Sequence, residues 1–461
     1  FLAVTFIVAV IEHFKVSIRY EAILPSDLNF LKADAGNLMS FMPSGAQWTI
    51  LIAVAAFAAF VALFVFLNRL DARHGRLFRG SDKRSRSVNA IARLLLILLP
   101  GLFFTLYSMQ VSTVGSWAKG FATVMGDKPS MWDSVYDAQR NGPLVAFTRQ
   151  LNPKVMVKPD DYSEETMKQV AARYEKAAKK INAKRSANMT DSTVIYVLSE
   201  SFSDPSRVPG LKVNKDSMPK IREIKQNTTS GLMLSSGYGG GTANLEYMGL
   251  SGLSMANFYT LTGPDVISHQ DKIDDSPYVS DEATYQSTLE EVRKTKSNQF
   301  LQVITMQNHM PYHDWYKHND FKASSTTGKP LKDDEKESIE TYQKGASLTD
   351  GATAGFLSEL DKLGKPVTVV FYGDHLPGIY SSASADDGNS LALHQTDYFI
   401  WSNKASGTQG NKIGNADYSS PNFFVAQAAE HMDAKVSPYL AFLTEMHSKI
   451  SAMEPPVVNN I

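Results

Sequence analysis

Long apolar runs in the first quarter of the chain predict membrane-spanning helices. The run at about 48–67 is almost wholly apolar and uncharged, and it is long enough to cross the core of a bilayer. A second run, at about 91–109, contains Pro100 and Gly101, which membrane helices tolerate. A pair of buried helices in a soluble protein is the alternative, but the length of the runs and their lack of polar residues argue against it.

A shorter apolar run opens the chain. Residues 1–11 have the composition of the tail of a further membrane helix, but they are too short to span a bilayer alone. Because the chain starts inside this run and without Met, we expect an N-terminal segment to be missing. We therefore assign residues 1–110 to an N-terminally incomplete transmembrane region.

Charge between the apolar runs predicts the orientation of the chain. The loop between the two long runs is its most basic part, and the positive-inside rule places such a loop in the cytoplasm. In the preceding loop, at about 12–47, acidic and basic residues balance, so we expect it to face outward. Everything after Gln110 is then extracellular, as part of a multi-pass protein of the cell membrane. The basic residues are Arg73, Arg76, Arg79, Lys83, Arg84 and Arg86.

The rest of the chain alternates between apolar runs and helical patterns. A connector, 111–190, contains an amphipathic helix that opens at Ser163, and we expect its alanine-rich stripe to pack on the globular domain rather than lie along the membrane. Within 191–450 the alternation predicts an α/β fold with a mostly parallel sheet flanked by helices. The predicted strands are 193–198, 299–306, 366–372 and 397–401, and the predicted helices include 334–363 and the segment after Thr242.

Composition removes several classes of function. The net charge is −1, and no basic patch is interleaved with aromatic residues, so the sequence disfavours nucleic-acid binding. The chain has no cysteine, which excludes disulfides, thiolate metal sites and cysteine nucleophiles.

A glycine-rich stretch, 235–241, ends at Thr242 and precedes a good helix-forming segment. We expect Thr242 to be the N-cap of that helix. A hydroxyl at the positive end of a helix favours a bound anion, above all phosphate. The alternative is an ordinary glycine-rich loop with a threonine cap.

Acidic and imidazole side chains follow the predicted strands. Glu200 comes just after the first strand, His309 after the second, and Asp374 and His375 after the third. Functional groups of α/β sheets collect beyond the carboxyl ends of the strands. Two carboxylates, one imidazole and the Thr242 oxygen suit Mn²⁺ or Mg²⁺, with Zn²⁺ as a further option. Taken singly, the Asp-His pair could be a surface turn and Glu200 a helix cap.

Four segments resemble the lipoteichoic acid synthase family, which comprises membrane-anchored phosphoglycerol transferases of the alkaline phosphatase/sulfatase superfamily. The segments are ESFSDP at 200–205, GGGTANLE at 239–246, QNHMPY at 307–312 and YGDHLP at 372–377. The resemblance implies a sulfatase-like catalytic domain with Thr242 as nucleophile. It also implies that Mn²⁺ is held by Glu200, Thr242, Asp374 and His375. His309 would contact the phosphoglycerol of the substrate, although it could also be a satisfied loop histidine.

The resemblance further implies a reaction. Glycerol phosphate would pass from phosphatidylglycerol to a growing lipoteichoic acid chain at the bilayer, through a covalent intermediate on the threonine. A phosphoethanolamine transferase or a phosphodiesterase of the same superfamily would use the same site. The absence of cysteine argues against a sulfatase, since the usual precursor of formylglycine is a cysteine.

The sequence departs from the family pattern in two places. It has two whole membrane helices where the family usually has five. After Phe258 it lacks most of a stretch that supplies the family with a substrate-binding arginine, and the helical position of Arg293 does not suit it as a replacement. An inactive membrane-bound binding protein is therefore a further alternative.

Overall fold

The computed structural model describes residues 2–19, 22–25, 27, 46–70, 83–113, 115–129, 134–151, 159–253 and 268–453. The chain divides into two compact units, Phe1–Val157 and Lys158–Ile461. The division falls inside the region 111–190 that the sequence analysis treats as a connector. The assignment of 191–450 to a catalytic domain stays a prediction.

The first unit is helical. Among the residues that the structure describes, two helices contain stretches long and apolar enough to cross a membrane, Trp48–Leu67 and Ser87–Gln110, and neither stretch is buried inside the protein. Both coincide with the predicted spans. The basic loop used to predict the orientation lies mostly at 71–82, outside the described residues. The helices are α1 (Leu2–Arg19), α2 (Ala46–Leu70), α3 (Lys83–Gln110), α4 (Trp117–Val124), α5 (Ser134–Asn141) and α6 (Pro143–Gln150).

The second unit is built on a six-stranded sheet with the order β4-β1-β6-β7-β3-β8. Three of its five strand pairings are parallel, which confirms the mostly parallel α/β fold. A separate antiparallel pair is formed by β2 and β5. The strands are β1 (Thr193–Ser199), β2 (Leu211–Val213), β3 (Thr229–Leu234), β4 (Phe300–Thr305), β5 (Ala323–Ser325), β6 (Val367–Gly373), β7 (Gln395–Ser402) and β8 (Tyr418–Ser419).

Helices cover both faces of this sheet. Alternate side chains of a strand point to opposite faces, so β1 contributes Tyr196 and Leu198 to one core and Ile195 and Val197 to the other. The helices of the second unit are α7 (Glu164–Asn182), α8 (Pro219–Gln226), α9 (Thr242–Ser251), α10 (Asp281–Lys294), α11 (Asp333–Asp361), α12 (Ser381–Ser384), α13 (Ser390–Leu393), α14 (Phe424–His431) and α15 (Pro438–His447).

The amphipathic helix of the predicted connector is α7, and it packs on the globular domain as expected. Ser163 is its N-cap and accepts a hydrogen bond from the Thr166 amide. Ala178 is buried in one of the two cores, and the Tyr174 ring meets Phe442 of α15 edge-on at 5.1 Å. The helix therefore belongs to the same compact unit as the sheet.

Three neighbouring strands determine the position of the candidate site: β4, β1 and β6. They lie side by side and run parallel, with Ser199 of β1 opposite Thr305 of β4 and Gly373 of β6. Their carboxyl ends therefore meet at one edge of the sheet, and the residues that follow each strand come together there.

Candidate active site

Glycines shape the loop that carries Thr242. Gly239 and Gly241 have φ of 71° and 99°, a left-handed backbone that glycine adopts without steric cost. A Cβ at Gly237 would lie 2.1 Å from the Gly240 carbonyl oxygen, so the loop folds back on itself only with glycine there. The loop therefore needs its glycines for its shape.

Thr242 is the first residue of α9, and Gly241 is the N-cap. The prediction that Thr242 caps the helix was wrong, because the left-handed entry to the helix places the glycine in that position. The Thr242 hydroxyl instead donates a hydrogen bond to Glu200 Oε2 at 2.9 Å. The hydroxyl still lies in the first turn of α9, where the helix dipole favours negative charge.

The end of β6 is held tightly against the turn after β1. A Cβ on Gly373 would lie 1.7 Å from the Phe202 carbonyl oxygen. Ser201 has φ of 49°, which is uncommon for a non-glycine residue, and its amide donates to Asp374 Oδ1 at 2.7 Å. The His375 amide donates to the same oxygen at 2.8 Å. Two backbone amides thus fix one carboxylate oxygen of Asp374.

Glu200, Asp374 and His375 form a buried cluster whose possible ligand atoms all lie within 4.8 Å of one another. The His375 Nδ1–H donates to the Leu376 carbonyl at 2.9 Å, because a carbonyl can only accept. The lone pair of Nε2 is then left for the cluster. Nε2 lies 3.5 Å from Glu200 Oε1, from Asp374 Oδ2 and from Thr242 Oγ1.

Charge and an unpartnered oxygen make the cluster a candidate cation site. Burial and the Glu200 charge raise the pKa of Asp374 to about 7. Burial lowers the pKa of His375, but the Asp374 and Glu200 carboxylates outweigh it and the net pKa is raised. Asp374 Oδ2 is buried without a hydrogen-bond partner among the described residues. Two carboxylates, an imidazole and a hydroxyl, with one oxygen unpartnered, fit a divalent cation.

His309 lies beyond β4 at the same edge of the sheet, but it takes part in a separate group of hydrogen bonds. Its Nδ1 contacts the Met310 carbonyl and lies 3.1 Å from the Tyr278 hydroxyl. Among the described residues, no hydrogen bond joins it to Thr242, Glu200 or the Asp374–His375 pair. The structure thus brings four of the five predicted site residues into direct contact and places the fifth on a neighbouring loop.

Sequence reasoning missed Tyr278. A lone tyrosine in a turn before a helix gives no signal in a single sequence. Arg293 was excluded as a substrate ligand, and it pairs with Glu359 at 3.0 Å on the exposed face of α10. The shortened stretch after Phe258 lies within 254–267, outside the described residues.

Known proteins with this architecture include phosphotransferases. The chain is 34% identical to the Streptococcus pyogenes phosphoglycerol transferase GacH, solved in complex with sn-glycerol-1-phosphate. That match has a TM-score of 0.56 and covers 64% of this chain and 88% of GacH. The integral membrane lipooligosaccharide phosphoethanolamine transferase A of Neisseria meningitidis matches with a TM-score of 0.51. It is 12% identical over 93% of this chain and 83% of its own, and it shows the fold alone.

A curated relative in Rhizobium meliloti (strain 1021) is named "Putative cyclic beta-1,2-glucan modification protein". It is 23% identical over 402 residues, which covers 74% of this chain. This chain spans 59% of the length of that relative.

A family model described as Sulfatase matches residues 192–272 and 258–434, which together make up more than half of the chain. This match and the similarity to GacH confirm the resemblance to phosphoglycerol transferases of the alkaline phosphatase/sulfatase superfamily. The chain belongs to the sulfatase family.

Proposed function

We propose that this protein is a membrane-anchored phosphoglycerol transferase. It moves glycerol phosphate from phosphatidylglycerol to a growing lipoteichoic acid chain, with Thr242 as the nucleophile. The observation that carries the proposal is the Thr242 hydroxyl, 2.9 Å from Glu200 and 3.5 Å from His375 Nε2, in the first turn of α9. The 34% identity to GacH, a phosphoglycerol transferase, supports this choice of transferred group.

Glu200, Thr242, Asp374 and His375 would hold the divalent cation, Mn²⁺ by resemblance and with Mg²⁺ or Zn²⁺ as options. When bound, such an ion lowers the pKa of a coordinated hydroxyl and neutralises charge on phosphoryl oxygens. The protein itself orients the donors. Glu200 accepts the Thr242 hydrogen bond, and two amides hold the Asp374 carboxylate.

In the first step, Thr242 Oγ1 attacks the phosphorus of the phosphatidylglycerol head group. The bond from Oγ1 to phosphorus forms, and the bond from phosphorus to the diacylglycerol oxygen breaks. The hydroxyl proton passes to Glu200 along the existing hydrogen bond and is then available to the departing diacylglycerol. The N-terminus of α9 stabilises the negative charge on the phosphoryl oxygens.

In the second step, a glycerol hydroxyl at the tip of the polymer attacks the same phosphorus. The new oxygen–phosphorus bond forms as the bond from phosphorus to Thr242 Oγ1 breaks, and the glycerol proton passes by way of Glu200 to Oγ1. His309 contacts the phosphoglycerol unit during both steps. Helices α2 and α3 anchor the protein in the cell membrane, and the catalytic domain, 191–450, is extracellular. Anchoring confines the enzyme to the surface that contains its lipid donor.

The proposal is tested by the products that the full chain releases from lipid donors. With Mn²⁺, phosphatidylglycerol should yield diacylglycerol, Thr242→Ala should abolish that release, and Thr327→Ala, on an exposed loop, should retain it. If phosphatidylethanolamine yields diacylglycerol and phosphatidylglycerol does not, the protein is a phosphoethanolamine transferase. Free glycerophosphate without polymer growth would indicate a phosphodiesterase. Metal binding without turnover of either lipid would indicate a binding protein.

A glucan hydroxyl is a second candidate acceptor. The Rhizobium relative is named for glucan modification, and the covalent intermediate proposed here would react with a sugar hydroxyl as it does with glycerol. Supplying polyglycerol phosphate and a cyclic β-1,2-glucan in parallel separates the two acceptors.

A further inference from the structure

Tyr278 lies against His309 in the turn that precedes α10. Its hydroxyl is 3.1 Å from His309 Nδ1 and donates a short hydrogen bond to the Met310 carbonyl. The two rings are 5.3 Å apart at 55°. On its other side the Tyr278 ring meets Trp315 edge-on at 5.7 Å, which limits its own movement. The imidazole is therefore restrained through its Nδ1 edge and through its ring.

These contacts select one tautomer of His309. A carbonyl oxygen only accepts hydrogen bonds, so the Nδ1 that contacts Met310 carries the proton. The Tyr278 hydrogen goes to the same carbonyl, which leaves the phenol oxygen facing the Nδ1–H. With the proton on Nδ1, this tautomer keeps the lone pair on Nε2. His375 has the same arrangement, with Nδ1–H donating to the next carbonyl in the chain and Nε2 left for the cluster.

The loop that carries His309 is held by further contacts besides the bond from Tyr278 to the Met310 carbonyl. The Asn308 side-chain amide donates to Thr349 Oγ1 at 2.9 Å, and the Gln307 side-chain amide donates to the Gly345 carbonyl at 3.1 Å. Removing the Tyr278 hydroxyl should loosen the imidazole, because the Met310 carbonyl then holds Nδ1–H without the phenol oxygen beside it.

The negative charge of Glu200 in the cation cluster also acts on the Tyr278 phenol. Burial, and after it the Glu200 carboxylate, raises the pKa of Tyr278 to about 12. The phenol therefore stays protonated at neutral pH and remains a donor to Met310.

We propose that Tyr278 is a positioning residue that, together with the Met310 carbonyl, fixes the orientation of the His309 ring, with Nδ1–H turned towards them and Nε2 ready to accept a hydrogen bond from a hydroxyl of the transferred phosphoglycerol unit. This role rests on the proposed function, because it assigns His309 to the substrate. It also specifies the group that His309 would recognise: an Nε2 that carries a lone pair accepts a hydrogen bond from a hydroxyl, whereas a phosphate oxygen offers no hydrogen.

The test compares Tyr278→Phe with Tyr285→Phe in the full chain. Both changes remove one phenol oxygen and keep the ring, but the Tyr285 hydroxyl bonds to Thr353 inside the core, away from His309. Loss of one hydrogen bond of ordinary strength should lower kcat/KM for phosphatidylglycerol by about 3- to 10-fold in Tyr278→Phe only. Thermal melting of both variants shows how much of any loss in kcat/KM follows from lower stability of the fold.

A spectroscopic readout makes the test independent of turnover. Nitrogen-15 NMR of the histidine-labelled chain reports which ring nitrogen carries the proton, and His309→Gln assigns the signal. In the wild type we expect the Nδ1–H form alone, and in Tyr278→Phe the same form with a shifted Nδ1 signal, because the phenol oxygen no longer lies beside Nδ1. Unchanged His309 signals in Tyr278→Phe would overturn the inference, as would a kcat/KM loss that merely parallels the melting temperature in both variants. A wild type that turns over no lipid would reject the proposed function and leave the NMR result to decide on Tyr278.

Discussion

Replacing Gly373 by alanine should damage the site through the backbone, without touching any proposed ligand. The new Cβ would lie 1.7 Å from the Phe202 carbonyl oxygen and 2.7 Å from the Phe202 carbonyl carbon. Real Cβ atoms essentially never approach a heavy atom closer than 3.0 Å, so the two segments must part by more than 1 Å. Gly373 ends β6 and Phe202 lies in the turn after β1, and both are buried, so neither segment can move into solvent.

The size of the effect follows from this displacement. Overpacking a buried position costs about 1–3 kcal/mol and occasionally more, and backbone is less able to yield than a side chain. We therefore expect the free energy of unfolding to fall by about 3 kcal/mol. The Ser201 amide holds Asp374 Oδ1 across the same contact, at 2.7 Å. Displacing this support should weaken the affinity for Mn²⁺ by about 10- to 100-fold, which is typical for the loss of groups that orient metal ligands.

Urea unfolding and calorimetric titration with Mn²⁺ measure the two effects. The control is Gly355→Ala in α11, where the new Cβ has no atom within 4 Å. That change should leave Mn²⁺ affinity unchanged and stabilise the helix by up to about 1 kcal/mol. If Gly373→Ala bound Mn²⁺ as tightly as Gly355→Ala, the coupling between the end of β6 and the cation cluster would be refuted.

Three further predictions concern the core and the cation. Asp397 is buried and pairs with Arg207 and Lys225, so Asp397→Asn should lower the free energy of unfolding by about 3–5 kcal/mol. Loss of the exposed Arg293–Glu359 pair should leave it nearly unchanged. Burial lowers the pKa of His431 from 6.5 to about 4, so the unfolded chain binds this proton more readily than the folded chain does. The corresponding stabilisation, about 3 kcal/mol, is present above pH 6.5 and lost as the pH falls towards 4, and a wild-type pH profile of unfolding no steeper than that of His431→Asn would contradict it. Chelation should abolish diacylglycerol release and Mn²⁺ should restore it, whereas release that persists in excess chelator would remove the cation from the reaction.

Much of the fold was predictable because buried parallel strands are continuous apolar runs. The predicted strands near β1, β4 and β6 each lie within two residues of the observed ends. The strand at 397–401 was also predicted, as β7. Its antiparallel direction relative to β6 is seen only in the strand pairing of the structure. β3 was missed because Gly231 interrupts its apolar pattern. That glycine is required since a Cβ there would lie 2.0 Å from the Ala416 carbonyl oxygen.

The cation cluster was predictable because each member follows a strand or a glycine loop that leads to the same edge. The direction of the Thr242 hydroxyl was not predictable, because it depends on the left-handed backbone conformation of Gly241 at the start of α9. Tyr278 could not be found at all, because its role arises only where the turn before α10 meets the loop after β4.

The central claim is that Thr242 takes the phosphoryl group, and trapping the intermediate tests it most directly. The full chain with Mn²⁺ and phosphatidylglycerol, quenched in acid and digested, should give a peptide that carries glycerol phosphate on Thr242. The same peptide from Thr242→Ala should be unmodified. A glycerol phosphate adduct on any other residue, or one that persists in Thr242→Ala, would contradict the account.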